Sequence, residues 1–164
     1  MEDRTPVPLP HPAQNVTEHV GYRLKRASAA LRTAMDTALR EHELTVPQYS
    51  CLELLDRQPG LSNADLARGT FVTRQSANVV LRGLEDAGLV TRPTSAEHGR
   101  ALPVHLTPAG RDRLHAARSA VYTIEERMIT HVPADRLTAL LTDLDAMADA
   151  LGGTAEVKDT PKDR

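Results

Sequence analysis

The chain has 164 residues, 40% hydrophobic and 26% charged, a composition typical of one soluble folded domain with additional helices. Aromatic residues make up only 2%, which argues against the base-stacking surface of single-strand nucleic-acid binders. The formal net charge is −2, so a nucleic-acid surface has to arise from the distribution of charge and not from its sum.

The N-terminal part changes from a proline-rich tail to a long helix. Residues 1–16 include prolines at positions 6, 8, 10 and 12 and show no helical period, which predicts a disordered tail. Residues 17–43 are predicted to form a helix whose apolar stripe contains Leu24, Ala27, Leu31, Met35 and Ala38 or Leu39. Such a stripe needs a partner surface, which predicts a dimerisation helix.

Residues 44–107 carry the signals of a winged helix-turn-helix. The first helix is expected to begin at Thr45, with Pro47 in its first turn, and to end before Pro59-Gly60. Its predicted buried residues are Tyr49, Leu52, Leu54 and Leu55.

A second, short helix is marked by a capping pair. Ser62 precedes Asp65 by three residues, as in a capping box, and Gly69 is a permissive place for the helix to end. Phe71 and Val72 are predicted to tuck into the core between this helix and the next.

The next helix, predicted at Thr73–Ala87, has a core face and a polar face. Thr73 and Ser76 supply capping oxygens at its start. Apolar residues recur at Ala77, Val80, Leu81 and Leu84. The opposite face carries Gln75, Asn78, Val79, Arg82 and Asp86, flanked by Arg74 and Ser76. Gln and Asn can pair with adenine, Arg with guanine, and Val can contact a thymine methyl, so this face is suited to the DNA major groove.

A β-hairpin should follow as the wing. Residues 89–92 predict one short strand, residues 101–106 predict the return strand, and residues 94–100 form the exposed tip. Five arginines between Arg68 and Arg100 face only three acidic residues, so the basic excess lies on this segment. Arg92 and Arg100 are predicted to contact the phosphate backbone or the minor groove.

The C-terminal part predicts two more helices with heptad-like stripes. The first, after Pro108, carries Leu114, Ala117, Val121, Ile124 and Met128. The second, after Pro133, carries Leu137, Leu140 or Leu141, Leu144, Met147 or Ala148, and Leu151. Residues 108–151 are therefore predicted to be dimerisation helices, followed by a disordered tail at 152–164. The alternative is that these helices fold back on helix 17–43 within one chain.

Other kinds of site have less support. Cys51 lies in an apolar helix, which favours a buried side chain over a redox sensor; a single cysteine excludes an intramolecular disulfide and predicts a cytoplasmic protein. No pair of histidines has helical metal-ligand spacing, although a zinc site across helices at Glu41, His42 and His115 stays open. No catalytic motif is found, so neither an enzyme nor a cofactor is predicted.

The winged segment resembles the MarR family of bacterial transcription regulators. The resemblance rests on Gly88-Leu89-Val90 leading into the wing, Arg100 at its tip, and Leu106-Thr107-Pro108-Ala109-Gly110 closing it. At the wing tip the family often has Asp-Arg-Arg, whereas this chain has His98-Gly99-Arg100, of which only the arginine matches.

The resemblance implies a homodimeric regulator, expected to be a ligand-responsive repressor, whose two recognition helices enter successive major grooves of a near-palindromic operator. It also implies a phenolic or anionic effector bound between the dimer helices and the reading head, with no ligand residue assigned. The candidate DNA-binding residues are Thr73, Arg74, Gln75, Ser76, Asn78, Val79, Arg82, Arg92 and Arg100. The competing hypothesis is a winged-helix dimerisation or protein-interaction module without specific DNA binding.

Overall fold

The computed structural model describes residues 16–93 and 103–152. In chain order the elements are a 3₁₀ turn at Val16–Glu18, α1 at Val20–Arg40, α2 at Val46–Arg57, α3 at Asn63–Gly69, α4 at Arg74–Asp86, β1 at Val90–Thr91, β2 at His105–Leu106, α5 at Pro108–Ile129 and α6 at Ala134–Ala150. The two strands are antiparallel, with Val90 opposite Leu106. The predicted class, mainly α with a small hairpin wing, is confirmed. The predicted tails lie outside the described residues except for residues 16 and 152.

Side-chain caps start α2, α3 and α4 where the sequence predicts them. Thr45 and Gln48 form a reciprocal capping box at α2, and Ser62 and Asp65 form another at α3. Thr73 accepts a hydrogen bond from the backbone N–H of Ser76 at the start of α4. These bonds satisfy N–H groups that have no partner within the helix, which fixes each helix start locally.

The core lies where the end of α1, α2, α4, the wing and the first part of α5 meet. Fully buried side chains come from every one of these elements and include Leu39, Leu52, Leu55, Leu81, Leu84, Val104 and Leu114. On α2, Tyr49, Leu52 and Leu55 are buried as predicted, while Leu54 is only partly buried. We call the unit formed by these elements the head. Its core is small and aliphatic, and the inner face of α4 is buried in it.

The wing joins α5 through a close backbone approach. The Thr107 hydroxyl donates to the Gly88 carbonyl at 2.7 Å and accepts from the Gly110 N–H at 3.0 Å. A Cβ on Gly110 would lie 2.0 Å from the Leu89 carbonyl oxygen, so this position requires glycine. The wing-closing motif thus caps α5 and fastens it to the end of α4.

Two helical segments lie outside this core. Residues 20–30 of α1 are exposed throughout, including Leu24 and Ala27, and α6 contains no buried residue. On α5, Leu114, Ala117, Val121 and Ile124 are buried within the chain and not left for a second subunit, whereas Met128 is 54% exposed because it lies beyond the end of the core. The fold-back alternative holds only for α5, which packs against α1; α6 does not pack into the core.

No helix within 16–93 or 103–152 has the length and apolar character needed to cross a bilayer.

Candidate DNA-binding surface

Helix α4 has the two faces that the sequence predicts. Ala77, Leu81 and Leu84 are buried, and Val80 is partly buried. The opposite face is exposed at Gln75, Asn78, Val79, Arg82 and Asp86, and the flanking Thr73, Arg74 and Ser76 are exposed as well. A rigid helix therefore presents a row of polar groups around one apolar side chain, the chemistry by which base edges are read.

The polar groups in the middle of this face have no hydrogen-bond partner among the residues that the structure describes. Within the described ranges, Gln75, Asn78 and Arg82 form no side-chain hydrogen bond or ion pair. At the helix start the Thr73 and Ser76 hydroxyls form a hydrogen bond with each other, with the two oxygens 2.9 Å apart. The donors and acceptors most suited to base recognition are therefore the ones left available to a ligand.

The turn between α3 and α4 differs from the sequence prediction. Phe71 was expected to tuck into the core, but its side chain is 81% exposed, and Val72 is only partly buried. The prediction for Phe71 is wrong because its backbone turns into the left-handed region, with φ of 56°, and directs the side chain away from the core.

The wing is held against α4 by an ion pair. Two guanidinium nitrogens of Arg92 donate to the two carboxylate oxygens of Glu85, and both side chains are about three-quarters buried. Hydrogen bonds from Arg92 hold the pKa of Glu85 below its ordinary value. Arg92 thus ties the end of β1 to α4, a structural role in addition to the DNA contact predicted for it. Residues 94–102, with Arg100 and the rest of the wing tip, lie outside the described residues.

A charged network that the sequence does not reveal links α2 to α5. Arg118 donates to both carboxylate oxygens of Glu53, at 2.8 and 3.0 Å, and to Asp56 at 2.6 Å. The Tyr49 hydroxyl donates to Glu53 at 2.8 Å. Burial raises the pKa of Glu53, but the hydrogen bonds from Arg118 and Tyr49 outweigh it and hold that pKa below its ordinary value. We call Arg118, Glu53, Asp56 and Tyr49 the α2–α5 network.

The remaining candidates are not brought together as a reactive site. Cys51 is 1% exposed, and burial raises the pKa of its thiol to about 11, so it is a packed and weakly nucleophilic group. In the part of the chain that the structure describes, which includes Glu41, His42 and His115, no three His, Cys, Asp or Glu side chains are arranged to hold a metal ion.

The fold and this surface define a winged helix-turn-helix of the DNA-binding class. A profile of the MarR family matches residues 42–101. The HTH-type transcriptional repressor Rv2887 of Mycobacterium tuberculosis is 44% identical over 115 residues, which cover 70% of this chain and 83% of the relative. The chain therefore belongs to the MarR family.

Solved structures agree with this assignment. The crystal structure of Rv2887 in complex with salicylic acid has a TM-score of 0.64 at 40% identity and covers 79% of this chain and 96% of its own. The transcriptional repressor CouR, bound to a 23-mer DNA duplex, has a TM-score of 0.74 at 32% identity and covers 81% of this chain and 94% of its own.

Proposed function

We propose that this protein is a sequence-specific transcriptional regulator that acts as a ligand-responsive repressor and binds its operator as a homodimer. The observation that carries the proposal is α4, whose buried face is locked into the head while its exposed face presents Gln75, Asn78 and Arg82 without partners in the described chain. Two relatives support it, since Rv2887 is named a transcriptional repressor and the repressor CouR has been solved bound to DNA.

The DNA-binding roles divide by chemistry. Gln75, Asn78 and Arg82 would hydrogen-bond to base edges, and Val79, 68% exposed, would contact a thymine methyl. The groups at the helix start and on the wing would fix the register through phosphates; they are Thr73, Arg74, Ser76, Arg92 and Arg100.

A homodimer accounts for the helices outside the core. We assign residues 44–107 to the DNA-binding domain and the flanking segments 17–43 and 108–151 to dimerisation. Leu24, Leu141 and Met147 are exposed apolar side chains on α1 and α6, which a second copy would cover. Two heads arranged by a twofold axis would read half-sites about one helical turn, or roughly 34 Å, apart.

The effector is proposed from the relatives. Rv2887 has been crystallised with salicylic acid and with p-aminosalicylic acid, which are phenolic anions. A ligand of this class would release DNA by favouring dimers whose heads do not match the operator spacing, and its differential affinity for the two states limits the shift. The proposed role is that of a cytoplasmic regulator and not of an enzyme.

The test is a binding series on the purified protein. Affinity for DNA from beside its own gene and for random duplex is measured across several salt concentrations. Specific binding about 10³-fold or more above random DNA is expected. Binding that is weak, blind to sequence and lost at modest salt would instead favour the protein-interaction module.

An arginine substitution makes the test specific to α4. Arg82→Ala should weaken operator binding by about 1–3 kcal/mol while leaving random-DNA binding nearly unchanged, if Arg82 reads a base. Arg57→Ala is the matched control, since Arg57 lies at the end of α2, is 62% exposed and belongs neither to the dimerisation segments nor to the proposed DNA contacts. Equal affinity of Arg82→Ala and wild type would remove Arg82 from the DNA-binding surface.

A further inference from the structure

Phe71 is exposed, although the hydrophobic effect favours burial of an aromatic ring. It is the only phenylalanine in a chain with 2% aromatic residues. Its side chain is 81% exposed, more than that of any other large apolar residue described in the winged segment, where Val79 follows at 68%. The core therefore does not account for an aromatic ring at this position.

The backbone conformation at residue 71 does not account for a phenylalanine there either. Its φ of 56° lies in the left-handed region, which glycine and asparagine adopt readily and bulky residues avoid. The turn is fixed by a bond from the Phe71 N–H to the Arg68 carbonyl at 3.2 Å and from the Val72 N–H to the Ala67 carbonyl at 3.0 Å. These two bonds form a Schellman cap at the end of α3, in which the left-handed position is usually glycine, so the turn itself does not favour a phenylalanine.

The position of the ring relates it to the recognition helix. Phe71 lies two residues before Thr73, the N-cap of α4, and the first residues of that helix, Arg74 and Gln75, are exposed as well. Helices of this class place their amino-terminal residues against base edges, so the turn before them adjoins the rim of the groove. The apolar surfaces that a duplex offers there are thymine methyl groups and deoxyribose carbons.

We propose that Phe71 is a DNA-contacting residue that packs its ring on an apolar surface of the operator, a thymine methyl or a deoxyribose, beside the start of α4. The proposal rests on the proposed function and adds a contact outside the polar face of the helix. The contact is apolar and releases no counterions, so it adds affinity without salt dependence.

The experiment uses substitutions that suit the backbone. Phe71→Asn and Phe71→Gly remove the ring and relieve the left-handed strain, and Phe71→Leu keeps an apolar side chain. Operator affinity is measured for the full-length protein across a salt series, and thermal midpoints are measured at one protein concentration. Phe71→Asn and Phe71→Gly should bind about tenfold more weakly or worse, with an unchanged salt slope and a midpoint no lower than wild type. Phe71→Leu should lose less.

Arg74→Ala is the matched control at the helix start. If Arg74 contacts a phosphate, its loss should weaken binding and also reduce the salt slope by roughly one for each phosphate contact removed. Replacing thymine by uracil one position at a time then separates the two apolar sources. A uracil penalty present in wild type and absent in Phe71→Asn supports the methyl, and loss of affinity without any such position supports deoxyribose.

Equal operator affinity of Phe71→Asn and wild type would overturn the inference while leaving the proposed function intact, and the ring would then be assigned to a protein partner. A lower thermal midpoint in both Phe71→Asn and Phe71→Gly would overturn it as well, since the ring would then have a folding role. Failure of wild type itself to bind any operator specifically would overturn the proposed function and the inference together.

Discussion

Replacing Arg118 by methionine tests the α2–α5 network. Methionine keeps a similar unbranched length but removes the guanidinium that bonds to Glu53 and Asp56. Arg118 is 39% exposed, Asp56 27% and Glu53 18%, so the carboxylates left behind would be only partly hydrated. The expected result is a folded but less stable protein.

The magnitude follows from this intermediate exposure. Removing one partner of a fully buried pair costs about 3–5 kcal/mol, whereas exposed pairs contribute about 0–1 kcal/mol. Because Arg118 is partly exposed, we expect an intermediate loss of about 2 kcal/mol at pH 7. For a chain of this size that corresponds to a thermal midpoint lower by about 4–8 °C.

The stabilisation by the α2–α5 network should depend on pH. The folded pKa of Glu53 is held below its ordinary value of 4.5, so the network stabilises fully above that value and loses its effect as the pH falls below it. The difference between wild type and Arg118→Met should therefore be largest near neutral pH and should shrink below about pH 4.5.

The assay is denaturant unfolding at fixed protein concentration from pH 7 down to pH 3.5. Arg32→Met is the control, because the Arg32 and Asp36 side chains are 69% and 47% exposed and their pair should contribute under about 1 kcal/mol. Equal stability of Arg118→Met and wild type at pH 7, or a difference that persists unchanged at the lowest pH, would refute the reasoning.

Two further predictions concern close packing and burial. Gly110→Ala should lower the free energy of unfolding by about 3 kcal/mol or more because the new methyl would overlap the backbone, whereas Gly83→Ala should be tolerated because its methyl would meet only the end of a flexible side chain at 3.3 Å. Urea unfolding of the two variants measures the difference, and similar stabilities would contradict the close approach at Gly110. Cys51 should resist alkylation at pH 7.5 in the native protein and react in denaturant, because the residue is 1% exposed and burial raises the pKa of its thiol to about 11. Mass spectrometry follows the labelling, and rapid labelling of the native protein would contradict the burial.

The candidate DNA-binding surface was predictable from the sequence to the extent that helical periodicity and local hydrogen bonds determine which side chains are exposed. The exposed face of α4 follows from the 3.6-residue period of Ala77, Leu81 and Leu84, and the structure places its polar residues on the surface as expected. Phe71 was not predictable in this way, because an apolar residue beside a helix start is normally buried and only the turn geometry directs it outward.

The sequence by itself determined where α2 and α3 begin, because the caps Thr45 with Gln48 and Ser62 with Asp65 join groups three residues apart. Only the tertiary structure decided which charges meet. Arg118 and Glu53 are 65 residues apart in the chain, and no periodicity relates them. They meet because α2 and α5 pack together through apolar side chains, and that non-directional packing brings into register charged groups whose pairing the local sequence does not encode.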